Sequence, residues 1–304
     1  MTKQVLILGN RGTLKDPVSY YEGYKKLFDE SARVANIGCA VHTALIEDLY
    51  ISVGPEEFTI RDTKNQVNVQ NYDLIMLRGM GFRGLFDVLF ALSQYCVKHG
   101  TKLINSYDRS YDFSKLAQAV RLTEGGLAVP QTVYVTSAVT SNQTNLSFGF
   151  PCIMKDVHGA HGNDNYIVNS LDEVRRIAQN NPDIRFIVQA FVPNSGDLRV
   201  LVLGDRTLMI KRQAIDGTHL NNTSKGGSAS LVAADEAAGA LLEIALSAAK
   251  ILDMTCAGVD IITDKISGKQ YVLEVNSQPQ LHTGAFLSEK QQLVADHLKD
   301  LYGN

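Results

Sequence analysis

Three oxygen-bearing side chains stand on two apolar runs near the C-terminal end of the chain. Asp260 lies in AGVDIIT (257–263), and Glu274 and Asn276 lie in QYVLEVN (270–276). Residues i and i+2 of a strand share a face, so Glu274 and Asn276 project together. The turn DKISGK between the runs folds Asp260 opposite that pair. Buried carboxylates need a cation or a metal beside them. Hard oxygen donors suit Mg²⁺, which binds through one or two carboxylates plus substrate phosphates. A second reading stands beside the first: salt-bridged acids, with Asn276 capping the turn at Pro279.

Cations occur upstream. Lys155 ends the strand-like PCIMK and precedes a glycine-containing loop, DVHGAHGND, then NYIV. Glycine lets backbone N–H groups approach phosphate oxygens, and a nearby lysine adds charge. The pattern is neither GxxxxGK[ST] nor GxGxxG. Asp197 and Arg199 open the next strand at i, i+2, and Lys211 and Arg212 close the strand after it. Together these groups describe a cleft for a polyanion and its metal, or cross-strand ion pairs on a solvated face. HExxH, GxSxG and HRD motifs are absent. His158 and His161 lack a third soft ligand for zinc. Cys39, Cys96, Cys152 and Cys256 form no CxxC pair and read as reduced, mostly buried thiols.

The elements that must position these groups change character along the chain. VLILG (5–9), YDLIMLRG (72–79) and TKLIN (101–105) are short buried strands. Helical spacing at 20–36 and 82–100 alternates with them, which predicts a small open α/β domain with a parallel sheet. A helix follows at 112–124. Strands then crowd too closely for helical crossovers, and VLGDRTL reads as a hairpin. Ser170 and Glu173 have capping-box spacing at a helix start. Helices at 235–252 and 288–301 flank the last two strands, so this part is α+β. At 304 residues, two or three subdomains are expected. A net charge of −3 with 20% charged residues argues against a nucleic-acid partner. With no stretch near ~18 apolar residues, a cytoplasmic protein without membrane contact is expected.

Taken in order, these segments resemble the ATP-grasp superfamily. The branch they resemble holds the ribosomal-protein glutamate ligase, the lysine-biosynthesis amino-group-carrier ligase and bacterial glutathione synthetase. The likeness covers nearly the whole chain and is strongest from DFSKLAQAVRLTEGGLAVPQT (112–132) through LEVNSQPQL (273–281). It implies an N-terminal open α/β domain (1–105), a central lobe (106–193) and a C-terminal lobe (194–304), the last two being α+β and clasping ATP. Lys115 and Lys155 look like the nucleotide-phosphate lysines. Residues 158–164, with Gly159 and Gly162, look like the loop over the triphosphate. Gln189, Ala190, Phe191 and Val192 look like the adenine hinge, Phe191 packing near the base. Asp197 looks like the ribose acceptor, and Arg212 and Asn222 like groups at the γ-phosphate and acyl phosphate. Asp260, Glu274 and Asn276 match the Mg²⁺ triad, with two ions expected and Mn²⁺ a substitute.

The implied reaction is ATP-dependent, ADP-forming ligation of a carboxylate to an amine through an acyl phosphate, on an amino acid or peptide. Relatives of this kind are often dimers or tetramers. The alternative is a nucleotide-binding ATP-grasp protein without ligase activity, regulatory or structural. Four positions depart from the family pattern: Asp164, Ala190, Leu220 (where an arginine is common) and Gln280. His219, Lys225 or Arg199 would substitute for the arginine. The acid substrate is expected near RGMGFRG (78–84), at Arg78 and Arg83.

Overall fold

The computed structural model describes residues 1–12, 14–79, 85–106, 114–136, 139, 146–159, 165–213, 228–232 and 236–303, the backbone alone at 236 and 237. The chain opens with β1 (Lys3–Gly9), α1 (Pro17–Ala35) and β2 (Cys39–Leu45). Proline at the first helical turn and Asp16, whose carboxylate accepts from Ser19 N, start α1. Asn36 in the left-handed region (φ 56°) stops it. A meander of β3 (Leu49–Val53), β4 (Phe58–Asp62) and β5 (Val67–Asn68) comes next, then β6 (Leu74–Leu77), α2 (Phe86–His99) and β7 (Lys102–Ile104). The expected parallel sheet is present in the order β2-β1-β6-β7. Its central strands are buried on both faces, which is why they read as continuous apolar runs.

The second sheet is antiparallel. It contains β8 (Thr132–Tyr134), β9 (Cys152–Asp156), β10 (Asn165–Val168) and β11 (Phe186–Ala190), ordered β10-β9-β11-β8. Between β10 and β11 runs α4 (Leu171–Asn180), where Ser170 Oγ accepts from Glu173 N at 3.2 Å. Glu173 reaches back to Asn169 N, one residue before the cap, rather than to the cap itself. The third sheet is built from β12 (Asp197–Leu203), β13 (Arg206–Gln213), β14 (Ser228–Leu231), β15 (Cys256–Thr263) and β16 (Gln270–Asn276), ordered β14-β13-β12-β15-β16 and antiparallel throughout. Two helices flank it: α5 (Glu236–Ile251), and α6 (Leu287–Tyr302), which also packs beside α1.

The helix α3 (Lys115–Glu124) packs Leu122 into the core formed by α5 and the third sheet. The boundary expected near 106 therefore precedes a helix whose core contacts run to the C-terminal sheet. The N-terminal domain shares a core with that sheet as well: Val5, Ile7 and Phe28 join Leu201, Leu203, Cys256 and Leu298. Polar ties reinforce it. Asn105 Nδ2 donates to Cys256 O and Ser277 O at 2.7 Å, and its Oδ1 accepts from Cys256 N. Gly79 N donates to Gln278 Oε1 at 3.0 Å.

Candidate active site

Strand register assembles the site. Asp260 lies directly opposite Glu274, and Asn276 follows opposite Gly258 on the same face. Arg199 lies opposite Asp260, and Arg212 opposite Asp197. All six residues project from the face of the third sheet that also carries Leu201, Leu203 and Cys256. Arg199 grips Asp260 with two hydrogen bonds, Nη2 lying 2.6 Å from Oδ2. Arg212 grips Asp197 from Nε at 2.6 Å and Nη2 at 2.8 Å, and Nη2 also lies 3.0 Å from Asp260 Oδ1. Forked pairs of this kind are the strong charge-assisted ones.

The charges shift as burial and pairing dictate. Burial acts to raise Asp260, but the guanidiniums of Arg199 and Arg212 overcome it and hold the carboxyl below its usual range. Asp197 is pushed up to about 6 by burial and by the Asp260 charge, against the pull of Arg212. Burial also works against the charge of Arg212, yet Asp260 and Asp197 leave its pKa raised.

Two lysines face this floor. Ser114 caps α3 and sets Lys115 at its first turn, where Lys115 Nζ lies 4.0 Å from Glu274 Oε1 and donates to Gly159 O. Lys155, on β9, donates to Gln189 Oε1 at 2.7 Å. Burial lowers its pKa to about 8, with Glu274 pulling upward and Lys115 downward. Gln189 is held in turn by Thr132 Oγ1 at 3.0 Å. Lys115, Lys155, Gln189, Asp260 and Glu274 thus converge between the second and third sheets.

Other expected residues stand differently. Ala190 N donates to Gln131 O at 2.9 Å, so the expected hinge loses that N–H to the sheet. The main chain leaves β11 only at Phe191 and Val192, where the Phe191 ring is partly exposed. Lys211 alternates to the opposite face from Arg212 and is exposed, so register removes it from the cluster. Arg78 is 1% exposed, donates to Pro279 O at 2.9 Å and lies over the Tyr24 ring. It anchors the loop after β16. Asn222, Gly162, Arg83, His161, Asp164, His219, Leu220 and Lys225 lie outside the described residues. Burial raises the thiol pKa values of Cys96, Cys152 and Cys256 to about 11 or 12, the opposite of an activated nucleophile.

One residue that sequence reading missed belongs to the site. Gln118 of α3 donates to Val275 O at 2.9 Å and accepts from Val275 N at 2.8 Å. It thereby pins the strand between Glu274 and Asn276. Its only signal in the sequence is a polar residue on the buried face of a helix.

The donors fit a hard cation. No three His, Cys, Asp or Glu side chains cluster in metal-binding fashion among the described residues. Two acids and a carboxamide remain, a set suited to Mg²⁺ shared with phosphates rather than to zinc. The Glu274 side chain is 41% exposed toward the cleft. Asp260 Oδ1 faces both Arg199 Nε and Arg212 Nη2, while Oδ2 accepts from Arg199 and keeps its second lone-pair site. Asn276 Oδ1 is oriented by Gln278 N at 2.8 Å.

A family model for the RimK-like ATP-grasp domain matches residues 114–292. The chain belongs to the RimK-like ATP-grasp family. Among curated relatives, a probable alpha-L-glutamate ligase of Sodalis glossinidius (strain morsitans) is 31% identical over 200 residues, 62% of each chain. One of Alkalilimnicola ehrlichii is 28% identical over 219 residues, 70% of this chain and 71% of that one. The match to the Sodalis relative thus spans 62% of that relative's length. The ATP-grasp ligase PsnB, solved with a minimal precursor, superposes with a TM-score of 0.69 at 17% identity, covering 98% of this chain and 99% of that one. The D-alanine–D-alanine ligase of Bacillus anthracis, solved with ATP, gives 0.66 at 14% identity, covering 99% and 97%. The ATP-grasp fold expected from the RimK-like motifs is the fold observed. Among the described residues, no helix is long and apolar enough to cross a membrane.

Proposed function

We propose that this chain is an ATP- and Mg²⁺-dependent, ADP-forming carboxylate–amine ligase that makes an amide or peptide bond through an acyl phosphate. The observation that carries this reading is the facing of Lys115 and Lys155 toward Asp260 and Glu274 across one cleft. Phosphoryl transfer asks for positioning and charge neutralisation rather than a covalent nucleophile.

Lys115 and Lys155 would neutralise the triphosphate, and Asp197 would accept the ribose hydroxyls. The Phe191 ring, partly exposed where the chain leaves β11, would pack near the base. Mg²⁺ held by Asp260, Glu274 and Asn276 would draw the phosphate oxygens together and neutralise their charge. The substrate carboxylate oxygen attacks the γ-phosphorus and ADP leaves. An amine then attacks the acyl carbon, phosphate departs, and the nitrogen loses a proton. Arg212 and Arg199 supply cations beside the transferring group.

Relatives named alpha-L-glutamate ligases and a neighbour solved with a precursor support an amino acid or peptide as the acid. A cytoplasmic homo-oligomer is part of the same proposal and rests on the family resemblance alone. The test crosses carboxylic acids with amines and reads phosphate release. The ligase requires both substrates together, whereas a nucleotide-binding protein without ligation shows no dependence on the pair. Glu274→Ala should lower turnover at least 10²-fold, as expected for a metal ligand whose charge stabilises the transition state. Full turnover in that variant would sink the metal assignment.

A further inference from the structure

One guanidinium is shared between two acids that the ligase reading assigns to different ligands. Arg212 holds Asp197 with a forked pair, and the same Nη2 that completes this fork reaches Asp260. Asp197 and Arg212 are 8% and 9% exposed at their side chains. Asp260 has an independent forked partner in Arg199, whereas the Arg212 contact to it is single. The position of Nη2 against Asp260 therefore depends on the fork to Asp197. Ribose hydroxyls donating to Asp197 compete with Arg212 for the same two oxygens, which weakens the fork and with it the lone contact to Asp260. Asp260 keeps Arg199, so it is not left as an unpaired buried charge, while Arg212 must find a new anion.

We infer that Arg212 is a positioning residue coupling the nucleoside and metal sites. Ribose at Asp197 loosens Arg212 from Asp260 and so favours a divalent cation there, and the cation favours ribose by the same factor. Only with both in place does Arg212 turn to the transferring phosphoryl group. The inference rests on the ligase reading for the roles of Asp197 and Asp260.

The test measures Mn²⁺ affinity by titration calorimetry and electron paramagnetic resonance, with nucleosides that carry no phosphate to touch the metal. Millimolar adenosine should tighten Mn²⁺ binding about fivefold or more, the lower end of ordinary site coupling. 2′,3′-Dideoxyadenosine, with the same base and no hydroxyls, should leave it unchanged. Arg212→Met should abolish the adenosine effect, and Asp197→Asn should do the same if the methionine variant does not fold. Equal effects of the two nucleosides, no effect of either, or an effect that survives in both variants overturns the coupling. Mg²⁺-ATP binding is measured alongside. Its presence without an adenosine effect removes this inference alone, and its absence removes the ligase reading as well.

Discussion

Gln118 should matter more than a helix glutamine usually does. It is 5% exposed and makes both hydrogen bonds that the edge of β16 needs at Val275. Replacing it with alanine strands one backbone N–H and one C=O in a buried place. Each stranded group costs about 1–3 kcal/mol. Some water will enter the space, so the lower half of the combined range applies, about 2–4 kcal/mol. In domains of 150–250 residues each kcal/mol moves Tm by about 2–4 °C, which predicts a fall of at least ~4 °C for Gln118→Ala. Gln118→Met keeps the volume and loses the hydrogen bonds, so it should fall nearly as far. Circular dichroism melting measures both. Because Val275 separates Glu274 from Asn276, Mn²⁺ affinity with ADP should weaken in parallel. If both variants melt within about 1 °C of the parent, the pinning role is wrong.

The other predictions concern protons and space. Lys155 titrates near 8 when folded, against 10.5 for an ordinary lysine. The unfolded chain binds more protons between those values, so stability should rise from pH 8 to 10.5 while ATP affinity falls through pH 8. Urea midpoints and ATP binding across that range check this, and a Lys155→Met variant should show neither trend. His282 is lowered to about 4 by burial, helped by Arg78 and Lys290, so it folds neutral. Stability should be intact above 6.5 and decline as pH falls from 6.5 to 4, with Gly23→Ala, whose added carbon meets the His282 ring at 2.4 Å, weakening that dependence. Gly79→Ala combines φ +71° with a contact of 2.6 Å to Tyr21 Oη, and should destabilise by about 1–3 kcal/mol in chemical unfolding.

Much of the site could be read from residue spacing because sheets convert spacing into geometry. Two apolar runs joined by DKISGK have few ways to pair, so the hairpin followed from the turn. That register alone would set Asp260 opposite Leu273, and a bulge beside Asp260, which spacing does not announce, moves it opposite Glu274. The Ser170 cap was legible because its partner is three residues away. What spacing does not encode is a polar side chain that meets backbone far along the chain. Asn105 reaches residues 151 and 172 positions away, and Gln118 reaches 157. The meander at 49–68 was also illegible, since its half-buried strands mix polar and apolar residues without clear alternation. Arg78 was only partly legible for a related reason. An arginine beside glycines at a strand end suggests an anion site, and spacing gave no hint that its Nη2 also donates to Pro279 O, 201 residues onward.

The ties at Asn105, Gly79 and Arg78 also have a mechanical consequence. They fasten the ends of β6 and β7 to the ends of β15 and β16, so the N-terminal sheet and the C-terminal sheet form one stiff body. The second sheet joins that body through short crossings, at 129–131 and 191–196, and through the first turn of α3. A machine of this shape has a single jaw. Fluorescent labels on α2 and α5 should keep a constant separation through turnover, whereas a label on α4 should be the one that travels.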